Sequence, residues 1–417
     1  MTATTSIAGS PAGRWLAIVG IGEDGADGLS PSARGLVANA GLVVGARRHL
    51  ALADCLIKGE RLAWPSPLHG AFPAILARRG QSVVVLATGD PFHFGIGKQL
   101  AELVAADEFI CVPQSSAFSL AAARMGWALQ DTVTISLHGR ALAGLVRHLQ
   151  PGARILALSW DEGTPGEVAR LLTARGCGGS RLTVLQAMGG GRERRARATA
   201  ATFATDIGET ALDPLNTIAI EIAADAGARI LPLAPGLPDD AFEHDGQLTK
   251  REVRAITLAA LAPRRGELLW DIGLGAGSIA IEWLRCDPSL RAIGIEARAD
   301  RAARASRNAL ALGTPDLDIV GGAAPGALQG LAPPDAIFIG GGLTDEGMLE
   351  MAWTALTPGG RIVANAVTLE SEGRLAAAFA EHGGELVRLS IARAEPVGDL
   401  TGWRPAMPVT QWRGVKS

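Results

Sequence analysis

Lysine is scarce in this chain. It occurs only at Lys58, Lys98, Lys250 and Lys416, which leaves 35 of the 39 basic residues as arginine. Charge of either sign is thin too, at 19% of 417 residues, against 48% hydrophobic residues. That balance excludes a disordered chain and predicts a well-buried α/β protein; the length predicts two or three domains. The net charge of -3 argues against general nucleic-acid affinity. Cysteine is limited to Cys55, Cys111, Cys177 and Cys286, with no CxxC pair, so neither a disulfide framework nor a structural zinc is expected. Reduced thiols fit a cytoplasmic protein. No charged n-region leads into an apolar run, and no uncharged apolar stretch reaches spanning length, so neither a signal peptide nor a membrane segment is expected. No short-period repeat and no metal-ligand cluster is present, which excludes a solenoid and gives no reason to expect a metal. The arginine excess has two readings. Guanidinium forks suit an anionic substrate, and a base-composition bias of the genome explains the same numbers along with the alanine excess.

Residues 1–13 are small and polar and read as a tail. From Trp15 a βα rhythm begins, with strands at "LAIVGIG", "GLVVGA", "QSVVVLATGDP" and "EFICVPQSS". A second group follows at "TVTISLHGR", "ARILALSW", "RLTVLQAMGGG" and "NTIAIEIA", with helices such as "TPGEVARLLTARG" between some of them. A proline-rich stretch marks a linker, and the rhythm restarts at "ELLWDIG". The expected division is 14–226, in subdomains of about 14–113 and 114–226, then a linker over 227–243 and a last domain over 244–417.

The run "DIGLGAGS", Asp271–Ser278, joins an apolar strand to the helix "SIAIEWLRC". Its glycines let backbone approach a ligand and leave free N–H groups at a helix start. The GxGxG spacing is tighter than that of dinucleotide folds, and no Lys-Ser/Thr follows, which excludes a triphosphate P-loop. Glu296 closes the next strand, 25 positions after Asp271, where a carboxylate can hold both ribose hydroxyls of a nucleoside.

With these motifs in view, the second half resembles class I methyltransferases, which bind S-adenosylmethionine. "QLTKREVRAITLAAL", "GGAAPGAL", "DAIFIGGG" and "TPGGRIVANAVTLE" are similar to the precorrin methyltransferase-decarboxylase family of cobalamin synthesis. This likeness implies cofactor contacts at Thr249, at Gly273, Leu274, Gly275, Ala276 and Gly277, at Glu296 and at Ala324, with Asp271 supporting the turn. The first half, through "VVVLATGDPFHFGIG", "VPQSSAFSLAAARMGW", "ISLHGR" and "AMGGGRERRAR", resembles class III tetrapyrrole methylases that act on precorrin-6. That likeness implies a cofactor cleft between two α/β subdomains, contacted by Gly89, Asp90, Ser115 and Ser116. The family usually has Pro-Gly after the first GIG, where this chain has Glu23-Asp24. The fold implied is a class III tetrapyrrole methylase of two α/β subdomains followed by a Rossmann-like methyltransferase domain. The activity implied is methylation of a precorrin-6 at ring carbons 5 and 15 with decarboxylation of the ring C acetate, giving a precorrin-8. C15 methylation and decarboxylation fall to the C-terminal domain.

Several residues carry two readings. Asp90 faces a cleft or caps a turn. His138 is a structural histidine or an acid–base group, and Arg140 beside it suits a substrate carboxylate. "GRERRAR" is a solvated surface or a nucleic-acid patch, and Cys286 packs a helix or acts as a nucleophile. Asp90, His138 and Arg140 are the catalytic candidates. The partners expected are two S-adenosylmethionine molecules, one per methyltransferase domain, a small tetrapyrrole and further copies of the chain, with no nucleic acid, membrane or metal. Two other classes remain: a methyltransferase acting on RNA or protein shares the second-half motifs but does not explain the first half, and for a non-catalytic cofactor sensor nothing in the chain looks like an output module.

Overall fold

The computed structural model describes residues 13–208 and 211–417; the expected tail lies outside them apart from Gly13. The fold is α/β throughout and divides into two units. One runs through Arg140 and takes in Gln150–Arg229; the other combines Ala141–Leu149 with Ile230–Ser417.

The first unit holds two sheets. Strands β1 (Leu16–Ile21), β2 (Leu42–Gly45), β3 (Glu60–Ala63), β4 (Val83–Thr88) and β5 (Phe109–Val112) form an all-parallel sheet in the order β3-β2-β4-β1-β5. β1 is buried along its whole length, as apolar strands covered on both faces must be. Ala17, Val19 and Val84 pack on one face and Leu16, Ile18 and Val85 on the other. Strands β6 (Val133–Ser136), β7 (Arg154–Leu158), β8 (Arg181–Gln186), β9 (Arg194–Thr199) and β10 (Asn216–Glu221) form a mixed sheet, β6-β7-β10-β8-β9. β3 and β9 escaped the sequence reading because both are exposed edge strands rich in charge; β9 lies in the arginine run read as surface.

The second unit is built on a seven-stranded sheet. Its strands are β11 (Leu268–Ile272), β12 (Arg291–Glu296), β13 (Asp318–Gly321), β14 (Ala336–Ile339), β15 (Arg361–Ala366), β16 (Glu385–Leu389) and β19 (Val409–Val415). The order is β13-β12-β11-β14-β15-β19-β16, parallel through β15 and antiparallel beyond it. The chain turns from one flank to the other at β11 and β14, so a ligand crevice belongs at their carboxyl ends. β17 (Ala392–Val397) and β18 (Leu400–Pro405) form a separate antiparallel hairpin.

The stretch expected as a linker has no regular element except the short turn Asp239–Ala241. Leu237 and Phe242 are nonetheless buried in the second unit, and the Gly236 and Leu237 amides donate to Glu282 at 2.5 and 2.9 Å. A carboxylate buried in the helix Ser278–Cys286 needs such donors, and an irregular strap can present two successive amides to it.

Candidate active sites

In the second unit a cavity of about 1040 Å³ opens at the carboxyl ends of β11 and β14. Thr249, Gly273, Leu274, Gly275, Ala276, Glu296 and Ala324 line it. Gly273 has φ +77°, and a Cβ there would lie 2.9 Å from the Gly341 nitrogen, so only glycine lets these two turns meet. Gly277 is not in the lining. It sits in the left-handed region at the head of the helix Ser278–Cys286, facing Ala305 and Ile281.

Glu296 is buried, yet its carboxylate is held by backbone: Oε2 accepts from the Gly275 amide at 2.8 Å and Oε1 from the Arg298 amide at 3.0 Å. Each oxygen keeps a lone pair, which is what two ribose hydroxyls require. Asp271 accepts from the Ala280 amide at 2.9 Å and so ties the strand to the helix. Burial pushes its carboxyl up to about 7, the Ala280 bond opposes this, and the charge of Glu296 adds to it. These residues suit an adenosyl group, with an apolar wall at Leu274 and Ala324, a close-approach turn and a fixed carboxylate.

The far end of the cavity was not legible in the sequence. It is lined by Arg393, Glu395 and Arg404 of the hairpin, and by Asn365. Arg393 donates to Glu252 at 2.5 Å, and Arg404 lies 3.1 Å from Glu395. Asn365 Nδ2 donates to Thr257 Oγ1 at 3.0 Å while its Oδ1 accepts from Gln411 at 2.8 Å, which fixes the amide.

In the first unit Gly89 follows β4 with φ +57°, and a Cβ there would lie 2.9 Å from the Ser115 carbonyl oxygen. The two loops therefore meet. Asp90 Oδ1 accepts from the Phe92 amide at 2.9 Å, so it caps its turn, whatever else it does. Ser116 is buried and N-caps the helix Ala117–Met125, accepting from the Ser119 amide at 3.1 Å; Ser115 is exposed. Phe94 adopts φ +58°, a strained geometry for an aromatic residue, and the Arg140 guanidinium lies over its ring at 5.3 Å. His138 is exposed and stacks on the ring of Trp160 at 5.0 Å. Phe92, Phe94 and Trp160 are large exposed apolar groups that sequence reasoning passed over; the "FHF" after Asp90 was the available signal.

Two α/β units, one with a glycine turn and a ribose-type carboxylate, define a fused S-adenosylmethionine-dependent methyltransferase. Residues 16–204 match the tetrapyrrole (corrin/porphyrin) methylases, and residues 240–416 match the precorrin methyltransferase domain. A precorrin-6Y C(5,15)-methyltransferase [decarboxylating] of Sinorhizobium sp is 56% identical over 402 residues, 96% of each chain. A cobalt-precorrin-7 C(5)-methyltransferase of Salmonella typhimurium is 32% identical over 170 residues, 41% of this chain and 83% of that one. The C-terminal domain of precorrin-6Y C5,15-methyltransferase from Rhodobacter capsulatus is 51% identical and covers 45% of this chain and 100% of its own, with a TM-score of 0.43. The chain belongs to the decarboxylating precorrin-6Y C(5,15)-methyltransferase family. It is an S-adenosylmethionine-dependent C-methyltransferase of cobalamin biosynthesis.

Proposed function

We propose that each unit carries its own S-adenosylmethionine site, the first methylating ring carbon 5 of precorrin-6Y and the second methylating carbon 15 and decarboxylating the ring C acetate. The observation that carries the second-unit reading is one cavity of about 1040 Å³ that spans both the glycine turn and the hairpin arginines. One end has the glycine turn and Glu296, and the other has Arg393 and Arg404, cations suited to side-chain carboxylates. The separate C(5)-methyltransferase of Salmonella typhimurium supports assigning carbon 5 to a unit of its own.

When bound, S-adenosylmethionine supplies an electrophilic methyl group. Glu296 holds the ribose, the Gly273–Gly341 approach seats the cofactor, and the arginines orient the ring so that its electron-rich carbon faces the methyl. Such alignment is worth about 7–11 kcal/mol. Loss of carbon dioxide leaves an electron pair that a protonated ring imine of the tetrapyrrole takes up. In the first unit Gly89, Asp90, Ser115 and Ser116 border the cofactor, and Arg140 and His138 face the tetrapyrrole. The enzyme works in the cytoplasm as a homo-oligomer; among the described residues no helix is long and apolar enough to cross a membrane, and Val397, Leu400 and Trp403 on the hairpin are exposed for contact with a second copy.

The test is product mass from the purified chain with precorrin-6Y and the cofactor. The reading requires two methyl groups gained and one carbon dioxide lost. Methylation of RNA or protein without turnover of the tetrapyrrole would replace it.

A further inference from the structure

Glu23 stands two residues past β1, in the position where the resembled family usually has the first residue of Pro-Gly. Its side chain is only 9% exposed, yet it lies between two arginines. Arg48 Nη1 donates to Oε1, and Arg192 Nη2 donates to Oε2 at 3.1 Å. Arg48 comes from the segment after β2 and also donates to Thr88, the last residue of β4, at 3.1 Å. Arg192 comes from the β8–β9 loop of the other sheet, and its Nη1 donates to Asp213 at 2.5 Å. The quartet therefore stands at the carboxyl ends of β1, β2 and β4, where open parallel sheets bind ligands, one residue before the Gly89-Asp90 turn. The second lobe closes directly on Glu23: a Cβ on Gly190 would lie 2.8 Å from the Glu23 Cβ.

The arginines keep an open side. Their side chains are 33% and 65% exposed, against 9% for both acids. His49, beside Arg48, is held neutral near pH 7, since burial and the Arg48 charge push its imidazole down to about 4. It stands 3.1 Å from Arg48 Nη2 without repelling it. Two guanidiniums converging on one carboxylate form a receptor for any carboxylate. An external carboxylate in place of the internal one keeps both guanidiniums paired.

We propose that Arg48 and Arg192 form a carboxylate receptor in the first unit, and that Glu23 is its built-in occupant, displaced by one side-chain carboxylate of the tetrapyrrole. This rests on the reading of the first unit as a methyl-transfer site. Glu23 thereby selects for substrates whose carboxylate can outcompete it, and an ester or amide at that side chain fails to enter.

The test uses the full chain, with fluorescence titration by uroporphyrin, a stable tetrapyrrole polycarboxylate, alongside the kinetics of carbon-5 methylation. Glu23→Gln should tighten uroporphyrin binding and lower KM by roughly threefold to tenfold with kcat unchanged. Arg192→Gln should weaken both by about tenfold and abolish the gain from Glu23→Gln in the double variant. Glu23→Asp, one methylene shorter and still charged, should shift affinity in the same direction by less. Unchanged or weaker affinity in both Glu23 variants, with the far-ultraviolet spectrum preserved, would overturn the receptor and leave the quartet as a clamp between lobes. Carbon-5 methylation lost in a Glu296→Ala variant would instead refute the placement of that transfer in the first unit, while the titration would still read the receptor itself.

Discussion

Arg254 donates through Nε to Glu282 Oε1 at 2.6 Å, and neither side chain reaches solvent beyond 2%. The same guanidinium donates to the carbonyls of Thr249 and Leu237, so one ion pair anchors the strap that borders the cofactor cavity. Glu282→Ala leaves that buried cation with Asp239 at 3.2 Å as its remaining carboxylate, strands the Gly236 and Leu237 amides, and should destabilise the second unit by about 3 kcal/mol. Chemical denaturation followed by tryptophan fluorescence reads this, since Trp270 and Trp283 are buried there. A loss under about 1 kcal/mol would mean that water relieves the charge.

Glu296→Ala removes the carboxylate assigned to the ribose. A hydrogen bond to a charged group is worth about 1.5–3 kcal/mol, so cofactor affinity at that site should fall at least about tenfold. On the proposed count of two sites, calorimetry on the full chain should then show one binding event weakened and the other unchanged. Two unaltered events would refute the role of Glu296.

Asp271 gives a pH signature. Its folded-state carboxyl, raised to about 7 from 3.8, binds a proton that the unfolded chain has already released between those values. Stability from this group is therefore greatest at low pH and falls as pH rises from about 4 to 7, by up to about 4 kcal/mol at ~1.4 kcal/mol per unit. Asp271→Asn keeps an acceptor for the Ala280 amide and should remove that slope, melting above the wild type at pH 8. Parallel melting curves for the two proteins from pH 4 to 8 would contradict it.

Asp90 separates two roles by two substitutions. Asp90→Asn preserves an oxygen for the Phe92 amide, whereas Asp90→Ala removes both cap and charge. If the charge serves methylation, both variants should lose the carbon-5 methyl by mass spectrometry while decarboxylation continues. Activity retained in Asp90→Asn alone would make it a turn cap.

How much of this was legible depends on where each signal resides. The α/β rhythm, the Gly273 turn and Glu296 could be read because local spacing forces them. Glu23 stood out only as a departure, and its partners Arg48 and Arg192 lie 25 and 169 positions away. The hairpin β17–β18 and the Asn365 network carry no local motif, since their meaning comes from long-range register. The proline-rich stretch was misleading in kind: prolines end regular elements but do not prevent burial, and Leu237 shows the difference.

The segment Ala141–Leu149 bears on cutting the chain. Leu145 and Val146 are buried within the second unit, and Arg147 Nη2 donates to the Leu284 carbonyl at 2.7 Å. A fragment from Leu233 onward lacks them and should fold with lower stability, each lost apolar side chain being worth about 1.5–3 kcal/mol. Fusing residues 139–151 to its amino terminus through a flexible linker should restore the melting temperature. Equal melting of the two fragments would show that the segment adds nothing.

That segment also imposes an order on synthesis. Leu284 leaves the ribosome 137 residues after Arg147, which at about 5–20 residues per second is a wait of roughly 7–27 s. Throughout it Leu145 and Val146 lie ahead of the rest of their own unit, since the first unit ends at Arg229 and the second resumes only at Ile230, so the nascent chain carries an apolar peptide waiting for its later half. Slow translation across 150–284 prolongs that exposure, and a chaperone that holds short apolar segments would find its site here.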